Sequence, residues 1–342
     1  MTTIDEFDYE LPPERIAQTP LGNRTASKLL VDGGLGAAQH RHVSELVDIL
    51  RPGDLVVVND TKVLPARLFA KRPTGGRTEL LLLEPDGPAA AALVAERSEW
   101  VGLVKPSKKV ASGTELVIDG EEDLSITVGE DLGDGRRRIL LESGDLDAAL
   151  VRVGQMPLPP YITETLDDPS RYQTVYAKNP GSAAAPTAGL HLTDDLIAGL
   201  DAAGIAMARV ELIVGLDTFR PVMVDDLDDH HMHSERYHVP PETTAAIDSA
   251  QRVIAIGTTT VRALESAARR GPKGATDLFI RRPFEFQTVD LLLTNFHMPK
   301  STLLVMIDAF VGDRWRSLYD EALAQDYRFL SFGDAMLLNR HA

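Results

Sequence analysis

The chain has 342 residues, 44% of them hydrophobic and 25% charged, and a formal net charge of −16. This length allows one large domain or two ordinary ones with buried cores, and the charge argues against indiscriminate nucleic-acid binding without excluding a local basic patch. The chain has no cysteine, no apolar run of about 18 residues and no apolar core near its N-terminus, so we expect a cytoplasmic protein without disulfides, a membrane span or a secretory signal.

The first strong pattern is GDLVVVND (53–60), a short apolar run bounded by turn formers, which predicts a buried strand. Six further runs follow between about residues 63 and 141, separated by Gly, Pro and Asp. This spacing predicts short strands of a small antiparallel barrel or sandwich. The six runs are TELLLLE, AALVAE, EWVGLVK, TELVI, LSITV and RRRILLE.

Helical and strand patterns alternate from about Asp145 onward. LTDDLIAGLDAAG (192–204) predicts a helix with Thr193 as its N-cap, and IAMARVELIVG then predicts a strand. PPETTAAIDSAQR predicts a helix, and VIAIGTTTVRALESAARRG predicts a strand, a turn and a helix. We therefore predict an α/β fold with a barrel-like main domain (1–62 and 149–342), interrupted by an inserted small antiparallel β-barrel domain (63–148).

Polar residues gather where several of these strands end. In IGTTTVRALESA, Gly257 and three threonines stand between a strand and a helix, where backbone N–H groups can hold an anion. Arg262 and Glu265 lie three residues apart on the same helix, so a capped helix with a surface ion pair is the alternative. Asn59 and Asp60 end the first buried strand, where ordinary turn chemistry is the competing interpretation.

Three segments carry histidines that suit acid–base chemistry. TNFHMPKST places Asn295 and His297 in a Pro-containing turn after an apolar strand, and catalytic residues often lie in such loops. A histidine in such a turn more often has a purely structural role, with its hydrogen bonds made inside the protein. AAAPTAGLHL (183–192) leads small residues into His191, and such residues permit either close approach of a ligand or an ordinary turn. DDHHMHSERYH lacks HExxH spacing, so we predict no metal there and favour Glu235 for acid–base or hydrogen-bonding work.

Taken together, long stretches of the chain resemble one family, the S-adenosylmethionine:tRNA ribosyltransferase-isomerases of queuosine biosynthesis. The similarity runs nearly from end to end, and only the β-rich insertion matches weakly beyond KPSKK. The matching stretches, in order, are FDYELPPERIAQTP, NRTASKLLV, GDLVVVNDTKVLPARL, MPLPPYI, RYQTVYAKNPGSAAAPTAGLHLT, TFRPV, HHMHSERY, IGTTTVRALESA, TNFHMPKSTLLVMIDAFVG and YRFLSFGDAMLL.

The resemblance implies a reaction in which S-adenosylmethionine donates its ribosyl group. The acceptor is 7-aminomethyl-7-deazaguanine at the wobble position of tRNA with a GUN anticodon, and the sugar is isomerised to give epoxyqueuosine with release of adenine and methionine. The resemblance further implies S-adenosylmethionine as cosubstrate, no metal, no membrane and a monomer.

Within the matched motifs we assign roles as hypotheses. The acid–base candidates are His191, Glu235, His297 and, more weakly, Asp60. Cosubstrate binding is assigned to Gly257, Thr258, Thr259, Arg262 and Asn295. Substrate binding is assigned to Tyr172, Gln173, Tyr176, Lys178, Arg67 and Lys105, with the KPSKK segment, Lys71, Arg72 and Arg77 forming a basic stripe with Arg67.

The chain also departs from the family pattern. Ile213 replaces a histidine and Asp217 a glycine of LHVGxGTF, and Arg282 and Pro283 stand where Pro-Gly is common. These changes leave two alternatives open. One is a related enzyme that transfers the ribosyl group to a small-molecule acceptor, and the other is a non-catalytic tRNA-binding relative.

Overall fold

The structure is a computed structural model that describes residues 2–133, 135–215 and 222–341. The chain forms two compact units. The first comprises residues 1–60, 159–177 and 186–342, and the second comprises residues 61–158 and 178–185. The predicted insertion, 63–148, falls inside the second unit, and the predicted domain boundaries stay a prediction.

The described residues form seventeen strands, numbered along the chain. They are β1 Lys28–Val31, β2 Gln39–His42, β3 Asp54–Asn59, β4 Thr61–Val63, β5 Arg67–Lys71, β6 Arg77–Pro85, β7 Arg97–Lys105, β8 Thr114–Ile118, β9 Glu121–Gly133, β10 Arg136–Glu142, β11 Asn179–Ser182, β12 Ala206–Leu212, β13 Glu235–His238, β14 Arg252–Ile256, β15 Lys273–Thr276, β16 Leu291–Asn295 and β17 Ala335–Asn339.

Eight α-helices accompany these strands in the described residues. They are α1 Leu46–Ile49, α2 Ala89–Val94, α3 Leu146–Val153, α4 Asp194–Ala202, α5 Pro241–Ser249, α6 Thr258–Arg270, α7 Thr302–Val311 and α8 Arg314–Ala324. Among these and the short 3-10 helices, none is long and apolar enough to cross a membrane.

The first unit is built on a nine-stranded mixed sheet of order β15-β13-β12-β3-β14-β16-β17-β1-β2. Its four central strands, β12, β3, β14 and β16, are mutually parallel. All six residues of β3 are buried, as expected of a strand covered on both faces. The carboxyl ends of these four strands therefore share one edge of the sheet.

The α/β class and the antiparallel barrel are confirmed, and the main domain is built on one large mixed sheet in the residues that the structure describes. The nine-stranded sheet is open, with β15 and β2 at its edges. The four residues of β2, Gln-His-Arg-His, are all exposed, so this strand ends the sheet instead of continuing it. A polar, exposed strand of this kind is typical of a protected sheet edge.

The second unit contains a closed six-stranded antiparallel barrel of order β10-β7-β6-β5-β8-β9. Five of the six predicted strand segments belong to it. The sixth, AALVAE, was predicted wrongly, because it lies largely in α2. Alanine is the best helix former, and Ala89, Ala92 and Leu93 face inward at the three- and four-residue spacing of a helix.

The other predicted elements of the first unit are confirmed. Thr193 caps α4, its side chain accepting a hydrogen bond from Leu196 N at 3.2 Å. Behind the central strands, Leu46, Leu196 and Leu200 pack with strand residues such as Val56 and Ile254 into one apolar core. This core fixes the strands whose ends carry the polar residues.

Glu265 on α6 is fully buried and holds a neighbouring turn, in contrast to the surface ion pair considered from the sequence. Its Oε1 accepts hydrogen bonds from the N–H groups of Thr288 (3.0 Å) and Val289 (3.1 Å), and its Oε2 from that of Gln287 (3.0 Å). Arg269 Nη1 donates to the same Oε2 at 2.7 Å. The carboxylate thus joins α6 to the segment before β16.

The substitution Glu265→Gln is expected to destabilise the fold by about 2–4 kcal/mol. The glutamine NH₂ group would face backbone N–H groups that also donate, and Arg269 would lose its counter-charge. Urea unfolding followed by circular dichroism measures the effect. The exposed Glu242→Gln on α5 is the control, expected to change stability by no more than about 0.5 kcal/mol. Equal stability of the two variants would contradict the proposed role of the Glu265 carboxylate.

Candidate active site

Three neighbouring parallel strands deliver polar residues to one edge of the nine-stranded sheet. β3 ends at Asn59, β14 is followed by Gly257, and β16 ends at Asn295. In open α/β sheets, ligands bind beyond the carboxyl ends of the strands. The edge that carries these residues is therefore the candidate active site.

Asn59 fixes the first part of this edge. Its Nδ2 donates to Leu212 O at 2.9 Å, and its Oδ1 accepts from Leu212 N at 3.1 Å. Nδ2 also lies 3.4 Å from Thr259 Oγ1 on α6. The side chain thus joins β3, the end of β12 and the first turn of α6.

Gly257 makes the turn from β14 into α6 with a φ of +88°, a backbone conformation that residues with a Cβ rarely adopt. The turn brings the N-terminus of the 13-residue α6 to the sheet edge. Thr260 Oγ1 donates to Ile256 O at 2.7 Å, whereas Thr258 and Thr259 border a cleft.

Asn295 connects three segments through its side-chain amide. Its Oδ1 accepts a hydrogen bond from Thr187 Oγ1 (3.0 Å), and its Nδ2 donates to His191 Nε2 (3.1 Å) and to Asp334 O (3.3 Å). Because an amide nitrogen only donates, His191 Nε2 must accept, and the ring proton lies on Nδ1. The sheet edge thus fixes the tautomer of His191.

His191 is neutral at physiological pH. It is 5% exposed, and burial lowers its pKa to about 4. A hydrogen bond to the Arg24 backbone opposes that shift, and the charges of Arg24 and Arg328 add to it. The result is an imidazole whose lone pair lies on Nε2, within the candidate site.

Gly189, one of the small residues before His191, allows a close contact with another side chain of the protein. A Cβ on Gly189 would lie 1.9 Å from the hydroxyl oxygen of Tyr176. Glycine therefore lets the buried Tyr176 pack directly against the 3-10 helix Thr187–His191. This close approach to a side chain of the protein explains the glycine.

Arg24 is a positioning residue that the sequence interpretation missed. Its guanidinium donates to the carbonyl oxygens of Gln173 (2.9 Å), Leu190 (3.1 Å) and Ser170 (3.3 Å). It thereby ties the segment before β1 to the residue that precedes His191. The available signal was the motif NRTASKLLV, whose only charged residues are Arg24 and Lys28.

Glu235 and Arg262 form a buried ion pair, through Arg262 Nη1 and Glu235 Oε2. His233 Nε2 lies 3.1 Å from Glu235 Oε1, which also accepts a hydrogen bond from Gly215 N (3.2 Å). Burial raises the pKa of Glu235, but Arg262, His233 and the Gly215 N–H together outweigh burial and hold it below its usual value. Glu235 is thus a charged carboxylate at neutral pH.

Arg262 also borders a small cleft, named here the Arg262 cleft. Its polar lining comprises His233, Thr258, Thr259, Arg262 and Thr302. Its apolar lining comprises Met232, Leu278, Phe279, Ile280, Leu303 and Met306. The cleft therefore offers an apolar wall opposite hydroxyl groups and a buried guanidinium.

A second small cleft, the His191 cleft, opens beside the histidine. It is bordered by Arg24 and Arg171, by Ser27 and Ser331, and by the apolar side chains of Pro20, Leu21, Leu190 and Phe332. The two clefts lie in the same unit. Gly257, which precedes Thr258 of the first cleft, approaches Ala188 of the helix that carries His191.

The structure places the other acid–base candidates differently. His297 is buried, its Nε2 is 3.0 Å from Thr294 Oγ1, and its backbone N donates to Tyr319 Oη at 3.0 Å. Burial lowers its pKa to about 3. Asp60 is buried at the end of β3, where its N–H donates to Val210 O at 3.0 Å. Catalytic roles for both stay predictions.

The six residues assigned to substrate binding are divided between the units. Tyr172, Gln173 and Tyr176 belong to the first unit, where Tyr172 is fully buried and packs edge-on against Phe332. Burial raises the pKa of Tyr176. Lys178, Arg67 and Lys105 belong to the second unit. Their roles stay predictions.

Two of the departures from the family pattern can be located. Arg282 donates to both carboxylate oxygens of Asp308 (2.6 and 2.7 Å) and to Asp313 (2.7 Å), so its charge is neutralised by α7 and the start of α8. Ile213 donates its N–H to Arg236 O at 3.0 Å. Asp217 lies outside the described residues. Within the described ranges, no three His, Asp or Glu side chains are grouped as a metal site would require.

Comparison with known proteins decides the family. A sequence model of the family described as "Queuosine biosynthesis protein" matches residues 4–338. The chain belongs to this family. The resemblance inferred from the sequence motifs is thereby confirmed.

Relatives in the queuosine family are similar over nearly their full lengths. An S-adenosylmethionine:tRNA ribosyltransferase-isomerase from Rubrobacter xylanophilus is 49% identical, with 98% of this chain and 97% of the relative covered. One from Staphylococcus epidermidis is 46% identical, with 98% and 99% covered. A crystal structure of the S-adenosylmethionine tRNA ribosyltransferase from Thermotoga maritima matches with a TM-score of 0.54 at 39% identity, covering 97% of this chain and 99% of that one.

The two buried histidines make stability depend on pH. Their folded pKa values of about 4 and about 3 lie below the unfolded value of 6.5, so the unfolded chain binds more protons as the pH falls. Their stabilising contribution is complete above pH 6.5 and is lost towards the folded values. Between pH 6 and pH 5 we expect each histidine to contribute a slope of about 1 kcal/mol per pH unit.

Urea unfolding of His191→Asn and His297→Gln at several pH values tests this expectation. Each variant should show a shallower loss of stability below pH 6 than the wild-type chain. The exposed Gln39→Ala, which removes no titratable group, is the control and should keep the wild-type slope. Identical slopes in all four proteins would show that the buried rings do not remain neutral.

Proposed function

We propose that this chain is an S-adenosylmethionine:tRNA ribosyltransferase-isomerase. It transfers the ribosyl group of S-adenosylmethionine to 7-aminomethyl-7-deazaguanine in tRNA, isomerises the sugar to epoxyqueuosine, and releases adenine and methionine. Family membership and the names of the full-length relatives support this assignment. We extend it to tRNA with a GUN anticodon, a monomeric enzyme and a cytoplasmic location.

The reaction sets clear physical demands on a site. The sulfonium acidifies the C5′ protons of the ribose, so a base must remove one of them. The departing adenine leaves more easily when it is protonated, and the acceptor amine must be held close to the ribose. Developing charge is best met by donors that are already in place.

The buried, neutral imidazole of His191 carries the proposal. A general base must be unprotonated at the working pH and must present a lone pair towards the substrate. Burial gives His191 the first property, and the hydrogen bond from Asn295 fixes the lone pair on Nε2. We assign the proton abstraction to His191 Nε2; the substrate must first replace Asn295 Nδ2 as the partner of this lone pair.

The Arg262 cleft suits S-adenosylmethionine. Its Met, Phe and Leu side chains match the flat adenine and the apolar methionine chain, and Thr258 and Thr259 offer hydroxyls for ribose oxygens. The charged Glu235 holds Arg262 in place, so we assign this carboxylate a positioning role alongside its predicted acid–base role. Gly257 and Asn295 border the same sheet edge.

The barrel of the second unit carries a cationic surface that suits RNA, here called the basic face. It consists of Arg67, Lys71, Arg72, Arg77, Lys105, Lys108 and Lys109. Lys71 lies opposite Arg77 on β6, and Arg72 Nη1 donates to Lys109 O at 3.1 Å. Two carboxylates pair with this face, Glu79 with Arg67 and Asp119 with Lys71.

Phe69 adds an aromatic ring to the basic face. It is 51% exposed on β5, between Arg67 and Lys71. Exposed aromatic rings flanked by cations are typical of surfaces that stack unpaired nucleobases. A positive surface on a chain of net charge −16 also limits nonspecific RNA binding to that surface.

The decisive experiment measures adenine release from S-adenosylmethionine, with and without tRNA that carries the aminomethyl-deazaguanine base. Release only in the presence of that tRNA is the expected result. Release with no RNA would favour the small-molecule acceptor, and tRNA binding without any release would favour the non-catalytic relative. Either result would overturn the proposal.

His191→Ala is expected to keep the fold and reduce adenine release by about 100-fold or more, because it removes the base. Asn295→Asp tests the tautomer separately. It replaces the Nδ2 donor by an acceptor, so the ring should become protonated at higher pH, and the acid limb of the pH–rate profile should move upward. His42→Ala is the matched control; wild-type rates in His191→Ala would remove the histidine from the mechanism.

The basic face is expected to govern the salt dependence of tRNA binding. Replacing Lys105 and Lys108 together with alanine should reduce the slope of log affinity against log salt by about 2, one for each lost phosphate contact. Filter binding at several salt concentrations measures the slope. Lys273→Ala, an exposed lysine of the first unit, is the control, and a slope insensitive to the double substitution would exclude these lysines from the RNA contact.

A further inference from the structure

The His191 cleft concentrates positive charge that no ion pair within it neutralises. Among the residues that the structure describes, those bordering the cleft include two arginines and no carboxylate. A third arginine, Arg328, lies close enough for its charge to act on His191. This concentration of cations contrasts with the net charge of −16 of the whole chain.

Arg24 and Arg171 are held side by side by a reciprocal clasp. Arg24 donates to the carbonyl oxygens of Ser170 and Gln173, while Arg171 donates to those of Leu21 (2.6 Å) and Gly22 (3.3 Å). Burial lowers the pKa of Arg24, and the charge of Arg171 lowers it further. The fold therefore keeps two like charges together at a cost that a bound anion would offset.

Two of these guanidinium groups retain buried donors. Arg171 Nε and Arg328 Nη1 are buried and have no hydrogen-bond partner among the described residues. A buried donor without a partner costs about 1–3 kcal/mol, so native proteins rarely keep one without a reason. The other Nη of Arg328 donates to Thr19 O, which aligns its guanidinium with the segment that borders the cleft.

The nearby acids are engaged with backbone groups. Asp168 accepts a hydrogen bond from Ser170 N at 2.9 Å, and its charge also acts on Arg24 and Arg171. Asp334 accepts from the N–H groups of Lys28 and Arg328, each at 2.8 Å. Neither carboxylate borders the cleft.

We propose that the His191 cleft is an oxyanion-binding site, in which Arg171 holds a phosphate or carboxylate group beside His191 and the charges of Arg24 and Arg328 add to the attraction. This inference rests on the proposed function, because the two substrates supply both kinds of group. S-adenosylmethionine carries a carboxylate, and RNA carries phosphodiesters. Guanidinium groups bind both, since they combine a permanent positive charge with several N–H donors.

Inorganic phosphate is the probe for the site. Calorimetry at constant ionic strength should show that the wild-type protein binds phosphate, and that Arg171→Gln weakens binding by about tenfold or more. Arg340→Gln is the matched control, because Arg340 also has a buried Nε without a partner and donates to a backbone carbonyl, but pairs with Asp290 and borders neither cleft. Equal phosphate affinity in the wild type and Arg171→Gln would overturn the proposal.

Loss of the clasp in Arg171→Gln has its own control. Arg171→Lys keeps the charge and should retain more phosphate affinity than Arg171→Gln if both fold. If Arg171→Gln does not fold, the thermal stabilisation of the wild type and Arg171→Lys by phosphate replaces the comparison. Phosphate that raises the Tm of neither protein above a chloride control would then overturn the proposal.

Two substrate variants distinguish the sources of the anion. If the carboxylate occupies the site, the wild type should have a lower kcat/KM for decarboxylated S-adenosylmethionine than for S-adenosylmethionine. Arg171→Gln should then have nearly the same kcat/KM for the two compounds. If a phosphodiester occupies it, an anticodon stem-loop with a methylphosphonate next to the wobble nucleotide should show that pattern instead. If the effect of Arg171→Gln simply adds to the effect of each altered substrate, neither group binds at Arg171, and the site's role in substrate binding is overturned.

Failure of the proposed function is recognised separately. A wild-type protein that binds phosphate through Arg171 but releases no adenine would contradict the reaction and leave the oxyanion site standing. A protein that releases adenine but binds phosphate equally well without Arg171 would do the reverse.

Discussion

The candidate site depends on the amide of Asn295. It is the last residue of β16, a central strand, so its position is set by the core of the sheet. Because its oxygen is taken by Thr187, its nitrogen must face His191 and Asp334 O. One side chain at the end of a central strand thus determines which nitrogen of His191 carries the proton and holds the 3-10 helix that carries this histidine.

Burial disfavours the charged form of both His191 and Glu235, but the two side chains end in different protonation states. The imidazole of His191 has no nearby carboxylate partner that would favour its charged form, so burial keeps it neutral. Glu235 is buried at least as deeply, but Arg262 keeps it ionised. A neutral base and a fixed ion pair at one sheet edge give two different electrostatic environments, which suits a reaction that starts from a sulfonium cation and ends in neutral products.

The sequence predicted the elements well and their partners poorly. Periodicity and caps identified β3, α4 and α6, because these signals are local. AALVAE was taken for a strand since short apolar runs carry no clear period. The partners of Arg262 and Arg24 were missed for another reason. Arg262 on α6 pairs with Glu235 on β13, and Arg24 binds carbonyl oxygens far along the chain. Only tertiary structure creates such contacts, so spacing alone suggested Glu265 as the neighbour of Arg262.

The insertion of the barrel within the chain has a consequence for assembly of the sheet. β3 pairs with β12, so Leu55 and Ala206 come together only when the chain between them, which includes the inserted segment, closes into a loop. The entropy lost on closing such a loop grows with the logarithm of its length. Arg67 and Gln155 exchange two backbone hydrogen bonds at the base of that segment, at 2.8 and 3.1 Å. Once they are joined, most of the intervening chain no longer adds to the loop, so early pairing of Arg67 with Gln155 would reduce the entropy lost when β3 pairs with β12.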